Sequence, residues 1–254
     1  YEEFPGKMSP YTFMANTISK KKIGTDIKNI DILNLIKNKF EELNHNTGLE
    51  KFRYVKFDEE INLIIEATKY ADLTLKYLKE CAKDMINQNL SERELVKICT
   101  DYAKNKMLKN ISKEFDETPC NVVATIHSGP RGAFPHGKSL SRVPKKNETL
   151  ICGVGACMGG VYAESGVTFI LGEPNEDQKK IIKVMKEVND EVVNNLKEGF
   201  ICEDVNKIAS NIYNKYGLSK FVRHRIGHGM GFEGHEAPWL SPGDKTLLTK
   251  NMVF

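Results

Sequence analysis

Phe221-Val-Arg-His-Arg-Ile-Gly-His-Gly-Met-Gly-Phe-Glu-Gly-His-Glu-Ala-Pro-Trp-Leu240 is the stretch from which both the fold and the functional site can be inferred. Its 20 residues hold three of the six histidines, four of the glycines and the only tryptophan of the chain. Gly227 and Gly229 flank His228, and residues without a Cβ let a backbone approach another strand or a ligand closely. Imidazole acts as base, acid, donor or metal ligand near neutral pH. The pattern favours an irregular strand lining a pocket over a glycine-rich turn whose histidines only satisfy local hydrogen bonds.

Two earlier motifs extend this interpretation. They are Ser128-Gly-Pro-Arg-Gly-Ala-Phe-Pro-His-Gly137 and Gly159-Gly-Val-Tyr-Ala-Glu-Ser-Gly-Val-Thr-Phe-Ile-Leu-Gly172. Together with Ile226–Leu240 they resemble the pita-bread peptidase family, which includes Xaa-Pro aminopeptidases, Xaa-Pro dipeptidases, methionine aminopeptidase and creatinase. The resemblance covers about residues 58–254. It implies an α+β pita-bread (creatinase/aminopeptidase-like) fold, in which pseudo-twofold helix-helix-strand halves surround a curved antiparallel sheet.

Local patterns predict the same order of elements. Apolar residues at helical spacing follow Asp58, which can cap a helix running to about Ile86. Ser91-Glu-Arg-Glu94 has the form of a capping box and predicts a second helix. The remaining predicted elements are strands at Val122–Ile126, Glu148–Ala156 and Val161–Leu171, and helices at Asp177–Leu196 and Glu203–Tyr216.

The two ends of the chain differ from this regular part. We interpret residues 1–57 as the remnant of an N-terminal creatinase-like domain plus a connector, with a helix over Ile30–Leu43, a strand or extended linker over Lys51–Phe57, and none of the domain's preceding strands. Residues 58–254 are predicted to form a pita-bread catalytic-type domain that is incomplete at its C-terminus. Lys250–Phe254 begins an apolar strand and stops, whereas its counterpart Thr149–Leu171 reads as a full hairpin, so truncation is the favoured explanation.

Composition excludes several classes of protein. The chain has 37 basic and 34 acidic residues, a formal charge of +3, whereas nucleic-acid binders usually concentrate basic residues on one face. No apolar run approaches the roughly 20 residues that cross a bilayer. The six cysteines form no Cys-x-x-Cys pair, which is typical of reduced thiols and predicts a cytoplasmic protein. Cys152 and Cys157 are interpreted as core residues, with a soft-metal site as the alternative.

The resemblance also implies a set of metal ligands. Active metallopeptidases of this family hold two divalent ions with two aspartates, one histidine and two glutamates. Position by position, the first aspartate falls on Gly153, the second on Glu164 and the histidine on His228, and both glutamates lie beyond Phe254. Gly153 has no side chain to coordinate with, so the partial set is Glu164 and His228. The expected cofactor is therefore none, or a weakly bound Mn or Co ion if a further C-terminal segment supplies glutamates.

Some relatives, such as creatinase, work without metal and use a histidine at the position of His136 as general acid and base. This resemblance implies four catalytic residues: His136, His228, His235 and Glu236. His136 would pass a proton, while His228 and His235 would donate to a developing oxyanion. Glu236 could equally orient His235, His136 could be an ordinary loop histidine, and Glu164 could be a solvent-facing residue of a strand.

Substrate contacts are predicted from His235 and from arginines, whose guanidinium groups bind carboxylates in a bidentate manner. Arg225 is the preferred candidate among four arginines near the motifs, and at least two of the four are expected to be surface residues. The candidates are Arg131, Arg142, Arg223 and Arg225.

Three functional hypotheses remain. The first is a hydrolase of the Xaa-Pro peptidase/creatinase type that cleaves a peptide or amidine-like C–N bond and is metal-independent or weakly metal-dependent. The second is a catalytically inactive pita-bread module that binds peptides or protein partners. The third is a two-metal Xaa-Pro aminopeptidase or dipeptidase in which Cys152 or a shifted residue replaces the lost aspartate. A small peptide or amino-acid-derived substrate is expected, with no nucleic acid or membrane partner, and the resemblance implies a homodimer.

Overall fold

A computed structural model describes residues 8–45, 47–115 and 117–254, so residues 1–7 of the predicted N-terminal remnant lie outside the described part. The chain forms two compact units, residues 1–54 and residues 55–254. Whether the first is the remnant of a larger domain stays a prediction. The helices and strands are α1 Pro10–Thr17, β1 Lys22–Thr25, α2 Ile30–Ile36, β2 Glu42–His45, α3 Asp58–Asn87, α4 Glu92–Asn110, β3 Asn121–Ser128, β4 Thr149–Met158, β5 Val161–Ile170, α5 Glu176–Asn195, α6 Cys202–Lys215, β6 Gly227–Gly229 and β7 Glu236–Leu240.

The smaller unit contains a parallel strand pair that the sequence did not predict. β1 pairs with β2 from Lys22 opposite Glu42 to Thr25 opposite His45. The helix predicted over Ile30–Leu43 is present over Ile30–Ile36 and continues as a 3₁₀ turn over Lys37–Lys39, but it is wrong beyond Lys39. The expected absence of preceding strands is also wrong, because β1 precedes α2. Residues 42–45 find ladder partners in β1 that a helix end lacks, and tertiary pairing of this kind overrides a local helical pattern.

The strand or linker predicted over Lys51–Phe57 is also different. A 3₁₀ helix runs over Thr47–Arg53, and the larger unit then begins with a single antiparallel bridge between Val55 and Met252. A run of alternating residues forms a strand only when a neighbouring strand supplies a continuous ladder. Lys250–Phe254, predicted to begin an apolar strand, contributes that bridge and accepts a hydrogen bond from the Met230 N–H at the Val253 carbonyl, but forms no continuous ladder with another described strand.

The first half of the larger unit is two helices packed on a three-stranded sheet. β3, β4 and β5 are consecutive and antiparallel, and α3 and α4 cover one face of the sheet. Leu78, Leu95, Met107 and Ile126 are fully buried between them. Each such side chain contributes about 2 kcal/mol of transfer free energy, so this layer fixes the sheet on which the candidate site stands.

The N-termini of α3 and α4 are capped as predicted, with one correction. Phe57 rather than Asp58 is the N-cap of α3, and Glu60 accepts a hydrogen bond from the Phe57 N–H at 2.8 Å. The predicted capping box of α4 is confirmed. Ser91 Oγ accepts from the Glu94 N–H at 3.4 Å, and the Glu94 carboxylate accepts from the Ser91 N–H at 2.8 Å.

The second half repeats the order of helix, helix and strand. α5 and α6 bury Val184, Val188 and Ala209 against each other, and α6 packs on Leu240 of β7. β6 and β7 form a short antiparallel pair. The predicted succession of two helix-helix-strand halves is confirmed. Within the described ranges, no helix is both long and apolar enough to span a membrane.

Candidate active site

The floor of the candidate site is the β4–β5 hairpin, and it carries a single carboxylate. Gly153 pairs with Gly166, and Gly155 pairs with Glu164, so these four residues share one face of the sheet. A cavity of about 560 Å³ lies over them. Only Glu164 among the four has a side chain. The floor is therefore open and poor in negative charge.

Sterics do not explain the glycine at 153. A Cβ placed on Gly153 would lie 3.7 Å from Thr125 Oγ1, which is an ordinary van der Waals contact. The position therefore has room for a side chain. The missing carboxylate is a property of this sequence rather than a demand of the fold.

The glycine at 229, by contrast, is required by the fold. A Cβ there would lie 2.7 Å from the Ala237 carbonyl oxygen, because β6 and β7 approach closely at a bulge. The glycine-flanked histidine was predicted to lie on an irregular strand with close backbone approach, and the geometry confirms this. His228 stands on β6 opposite Trp239 of β7.

The histidines of separate motifs converge over Glu164. The ring centroids of His228 and His235 are 4.2 Å apart, and those of His136 and His235 are 5.8 Å apart. His228 Nε2 lies 3.5 Å from Glu164 Oε2, and His235 Nδ1 lies 3.9 Å from Glu164 Oε1. His136, Glu164 and His235 line the cavity. Four groups that can move a proton or share a cation thus surround one space.

The loop that carries His136 is anchored by a residue far from it in sequence. Glu92, in the first turn of α4, is completely buried. Its carboxylate accepts hydrogen bonds from the Ser128 N–H at 2.9 Å, the Ser128 hydroxyl at 2.8 Å and the Leu140 N–H at 3.0 Å. It also pairs with Arg131 Nε at 3.2 Å. Both ends of the segment 128–140 are therefore tied to one carboxylate.

The environment of Glu92 determines its ionisation. Burial raises the pKa of a carboxyl, but the hydrogen bonds from Leu140 and Ser128 and the positive charge of Arg131 outweigh burial, so the pKa of Glu92 lies below its ordinary value. Glu92 is thus ionised at neutral pH. His127 adds a second anchor, since its ring nitrogen contacts the carbonyl oxygen of Gly137, next to His136.

Glu236 is held from behind the site. Its Oε1 lies 2.6 Å from Lys56 Nζ, and its Oε2 accepts from the Glu233 N–H at 3.0 Å. Lys56 is 1% exposed at its side chain. The lysine passes so close to Gly231 that a Cβ there would lie 2.4 Å from its Cε. The carboxylate thus contacts Lys56 and not the His235 ring, and its predicted catalytic role stays a prediction.

Two of the four candidate arginines are engaged by structural carboxylates. Arg131 pairs with Glu92, and Arg142 Nη1 lies 2.8 Å from Glu148 Oε2. Arg225 is exposed and its guanidinium lies 3.8 Å from the centroid of the Trp239 ring. Stacking on an aromatic face leaves the guanidinium edge available for hydrogen bonds. Arg225 therefore remains the better candidate for a substrate carboxylate.

Cys152 does not replace the lost aspartate. Its side chain is buried in the core between α3, α4 and the sheet, on the face of β4 opposite the cavity. Burial raises the pKa of its thiol to about 12. A metal ligand must be the thiolate, so Cys152 is a core residue and the soft-metal alternative for it is wrong.

One of the ligand positions that the resemblance implies for a pair of ions is empty, because Gly153 has no side chain. Two adjacent cations repel each other unless several carboxylates surround them, and Gly153 offers none. In the part of the chain that the structure describes, one group has metal-ligand geometry: Glu164, His228 and His235, whose ligand atoms lie within 4.8 Å of one another. His235 was predicted as a catalytic and substrate-binding residue, not as a member of such a group.

Sequence reasoning missed three residues that shape the site. Glu92 had no signal beyond its place in a capping box, and Lys56 lies in a stretch interpreted as a connector. His224 belongs to the deciding stretch but was assigned no role, although its ring centroid is 5.7 Å from that of His136. The exposed imidazole of His224 thus widens the histidine cluster on the side of His136.

Comparison with known proteins places this geometry in a family. The pattern of metallopeptidase family M24 matches residues 62–254. The Xaa-Pro dipeptidase of Pyrococcus horikoshii is 28% identical in an alignment 224 residues long that covers 84% of this chain and 60% of that protein. The chain therefore spans about 60% of the length of this relative.

Solved structures agree on the fold. A prolidase from Thermococcus sibiricus is 27% identical with a TM-score of 0.74, and the match covers 97% of this chain and 66% of that one. A dipeptidase from Pyrococcus horikoshii OT3 has a TM-score of 0.79 at 24% identity, covering 97% of this chain and 68% of that one, and at that identity it supports the fold alone. The pita-bread fold expected from the three motifs is confirmed.

Proposed function

The chain belongs to metallopeptidase family M24, and from this premise we propose that it is a hydrolase of the Xaa-Pro peptidase type that cleaves a C–N bond with imidazole groups. The observation that carries the proposal is the convergence of His136, His228 and His235 over Glu164. The substrate class is proposed from the Xaa-Pro dipeptidase and prolidase names of its relatives.

The chemistry requires three events at the scissile bond. A water oxygen bonds to the carbonyl carbon, negative charge develops on the carbonyl oxygen, and the nitrogen leaves with a proton. His136, on its anchored loop at the cavity edge, is placed to take the proton of the water and to return it to the nitrogen. His228 and His235 would donate N–H groups to the developing oxyanion.

The remaining residues orient the groups that react. Glu164 lies 3.5 Å from His228 Nε2 and 3.9 Å from His235 Nδ1, and it would help to orient both rings. The glycine floor formed by Gly153, Gly155 and Gly166 lets an extended substrate lie close to the sheet. Arg225, stacked on Trp239, is the proposed partner of a substrate carboxylate. A cytoplasmic location and a homodimer also stay predictions.

The missing carboxylate at Gly153 favours a second candidate over the two-metal enzyme. A site with Gly153 in place of a ligand fits an inactive module that binds peptides in the same cavity. The two-metal alternative lacks both this aspartate and any substitute from Cys152. Activity therefore has to be tested against binding rather than against metal content alone.

The test is hydrolysis of a panel of Xaa-Pro dipeptides, creatine and cyclic amidines by the wild-type chain and by His136→Ala. We expect at least one substrate to be cleaved and kcat/KM to fall about 10²–10⁴-fold in the variant, the range for loss of a general acid-base group. His45→Ala, which removes an exposed histidine of the smaller unit, is the matched control and should retain activity. Binding of dipeptides without turnover would instead support the inactive module.

A further inference from the structure

A buried ion pair connects the chain just before α3 with the residue that follows His235. Lys56 Nζ lies 2.6 Å from Glu236 Oε1, and the two side chains are only 1% and 10% exposed. Removing two charges from water costs about as much free energy as their attraction returns, so a buried pair adds little to stability. Its best-attested use is to fix one arrangement of the chain. The contacts at the two ends of the pair show which arrangement it fixes here.

Lys56 is held in place through its backbone. Its N–H donates to the Asn251 carbonyl oxygen at 2.9 Å, and its carbonyl oxygen accepts from Asn251 Nδ2 at 3.2 Å. The same Asn251 amide donates at 3.1 Å to Asp58 Oδ1, in the first turn of α3. Because α3 packs on the sheet formed by β3, β4 and β5, the ammonium group of Lys56 extends from a well-anchored part of the larger unit.

The loop between β6 and β7 folds around the end of the Lys56 side chain. Gly231 has a φ of +147°, and a Cβ there would overlap Lys56 Cε, so this position requires glycine. The Lys56 ammonium lies 5.9 Å from the centroid of the Phe232 ring. Glu236 Oε2 accepts from the Glu233 N–H at 3.0 Å. Lys56 or its partner Glu236 therefore contacts this loop at several points.

His235 depends on the same loop for its position. It lines the cavity of about 560 Å³, which neither Lys56 nor Glu236 does, so the neighbouring side chains of His235 and Glu236 face different sides of the chain. Among the described residues, no hydrogen bond holds the His235 ring, whose Nδ1 lies 3.9 Å from Glu164 Oε1. The position of the ring is therefore set by the backbone that carries it. The contact with Lys56 on one side of the loop thus controls the imidazole on the other.

We propose that Lys56 is a positioning residue, which acts through Glu236 to hold His235 in the cavity beside His228. The consequence for catalysis rests on the proposed hydrolase, whereas the position of the ring can be measured without any turnover. Glu236 then acts through the neighbouring imidazole and not on the substrate.

The test is the contact between the rings of His228 and His235, whose centroids are 4.2 Å apart. It is measured as a nuclear Overhauser effect between ring protons in the full chain labelled at histidine. In Lys56→Met the carboxylate of Glu236 loses its counter-charge, and a buried unpaired carboxylate takes up a proton or moves toward water. We expect the effect between the two rings to be lost.

A second ring contact in the same sample is the internal reference. The centroids of His136 and His224 are 5.7 Å apart, and neither residue belongs to the loop that Lys56 holds. Their Overhauser effect should be retained in Lys56→Met. Loss of both contacts would indicate a general change of the site and would contradict a role of Lys56 in positioning His235.

Two further variants separate loss of the ion pair from loss of the fold. The double variant Lys56→Met/Glu236→Gln leaves neither charge of the pair buried alone, so it should fold as the wild type does and still lose the contact between His228 and His235. Lys186→Met, which removes the lysine of an exposed ion pair with Asp190, is the matched control and should keep both ring contacts.

Activity gives a second measurement. On a substrate that the wild type cleaves, Lys56→Met should lower kcat about 10²-fold and change KM less, since a misplacement of about 1 Å can cost that much. A wild-type chain without activity contradicts the proposed hydrolase, and the ring contact then decides the role of Lys56 alone. The proposal is overturned if the double variant folds and keeps the contact between His228 and His235, or if Lys186→Met loses it as well.

Discussion

Glu92 and Glu164 are two carboxylates of the same unit that serve opposite purposes. Glu92 is fully buried, and every direction around it is filled by a donor from Ser128, Leu140 or Arg131. The side chain of Glu164 is 32% exposed, and its two oxygens face imidazoles at distances longer than hydrogen bonds. A carboxylate that is saturated with donors stabilises a fold. One that is left open can accept a proton, a metal or a substrate.

The surroundings of the two residues explain the difference. Glu92 occupies the first turn of α4, where free backbone N–H groups and the helix dipole favour a negative charge, and the ends of the 128–140 segment close over it. Glu164 stands on β5 opposite Gly155 and two residues before Gly166, and neither glycine has a side chain that could reach it. The surroundings of Glu92 therefore stabilise the fold, whereas those of Glu164 leave its carboxylate accessible.

The largest expected effect on stability comes from removing the carboxylate of Glu92. Glu92→Ala leaves the Nε–H of Arg131, the N–H and hydroxyl of Ser128 and the N–H of Leu140 without the carboxylate that accepts from them. We expect a loss of about 4 kcal/mol in the free energy of unfolding, the size typical of a broken buried pair. Urea unfolding followed by circular dichroism measures it. Glu94→Ala, two residues along the same turn but exposed, should cost only about 1 kcal/mol, as loss of a capping box does. Equal losses in both would contradict the comparison.

A smaller change in the free energy of unfolding is expected when the pH is lowered. Because the folded-state pKa of Glu92 is lowered, its ionised form stabilises the fold above the ordinary carboxyl value of 4.5, and this contribution is lost as pH falls through the lowered pKa. Glu92→Gln has no such contribution to lose. The difference in unfolding free energy between wild type and Glu92→Gln should therefore shrink between pH 7 and pH 3. A difference that is constant across this range would show that the charge of Glu92 does not stabilise the fold.

The smallest effect on stability is expected from replacing Glu164. Glu164→Gln removes a charge that has no hydrogen-bonding partner at normal distance among the residues the structure describes, so the free energy of unfolding should change by less than about 0.5 kcal/mol. The measurement is the same urea titration, made without added metal. A loss comparable with that of Glu92→Ala would mean that Glu164 is a structural residue, and the site proposed around it would then need another explanation.

The sequence predicted most of the larger unit because its signals are local. The apolar stripe of α3 and the capping box of α4 both depend on residues within a few positions of each other, and both were found. The helix predicted over Ile30–Leu43 ends early because β2 pairs with β1, about 20 residues earlier in the chain. Pairing at that distance leaves no mark on local spacing.

For the candidate site too, some features could be predicted from the sequence and others could not. The motifs marked His136, Glu164, His228 and His235 as chemically able, and the absence of a carboxylate at Gly153 was evident from the sequence alone. The anchoring of the His136 loop by Glu92 and the pairing of Lys56 with Glu236 were not evident. The second pair joins residues 180 positions apart.

By itself the sequence determined which functional groups this protein possesses and the fold that carries them, since residue type and local periodicity are written in it directly. Only the tertiary structure decided which carboxylate is saturated and which is open, and that His235 joins Glu164 and His228 in one group. The physical reason is that hydrogen bonds and shared ions act over a few ångströms in space. Those distances exist only after α4, β5 and the β6–β7 pair have packed around the same cavity.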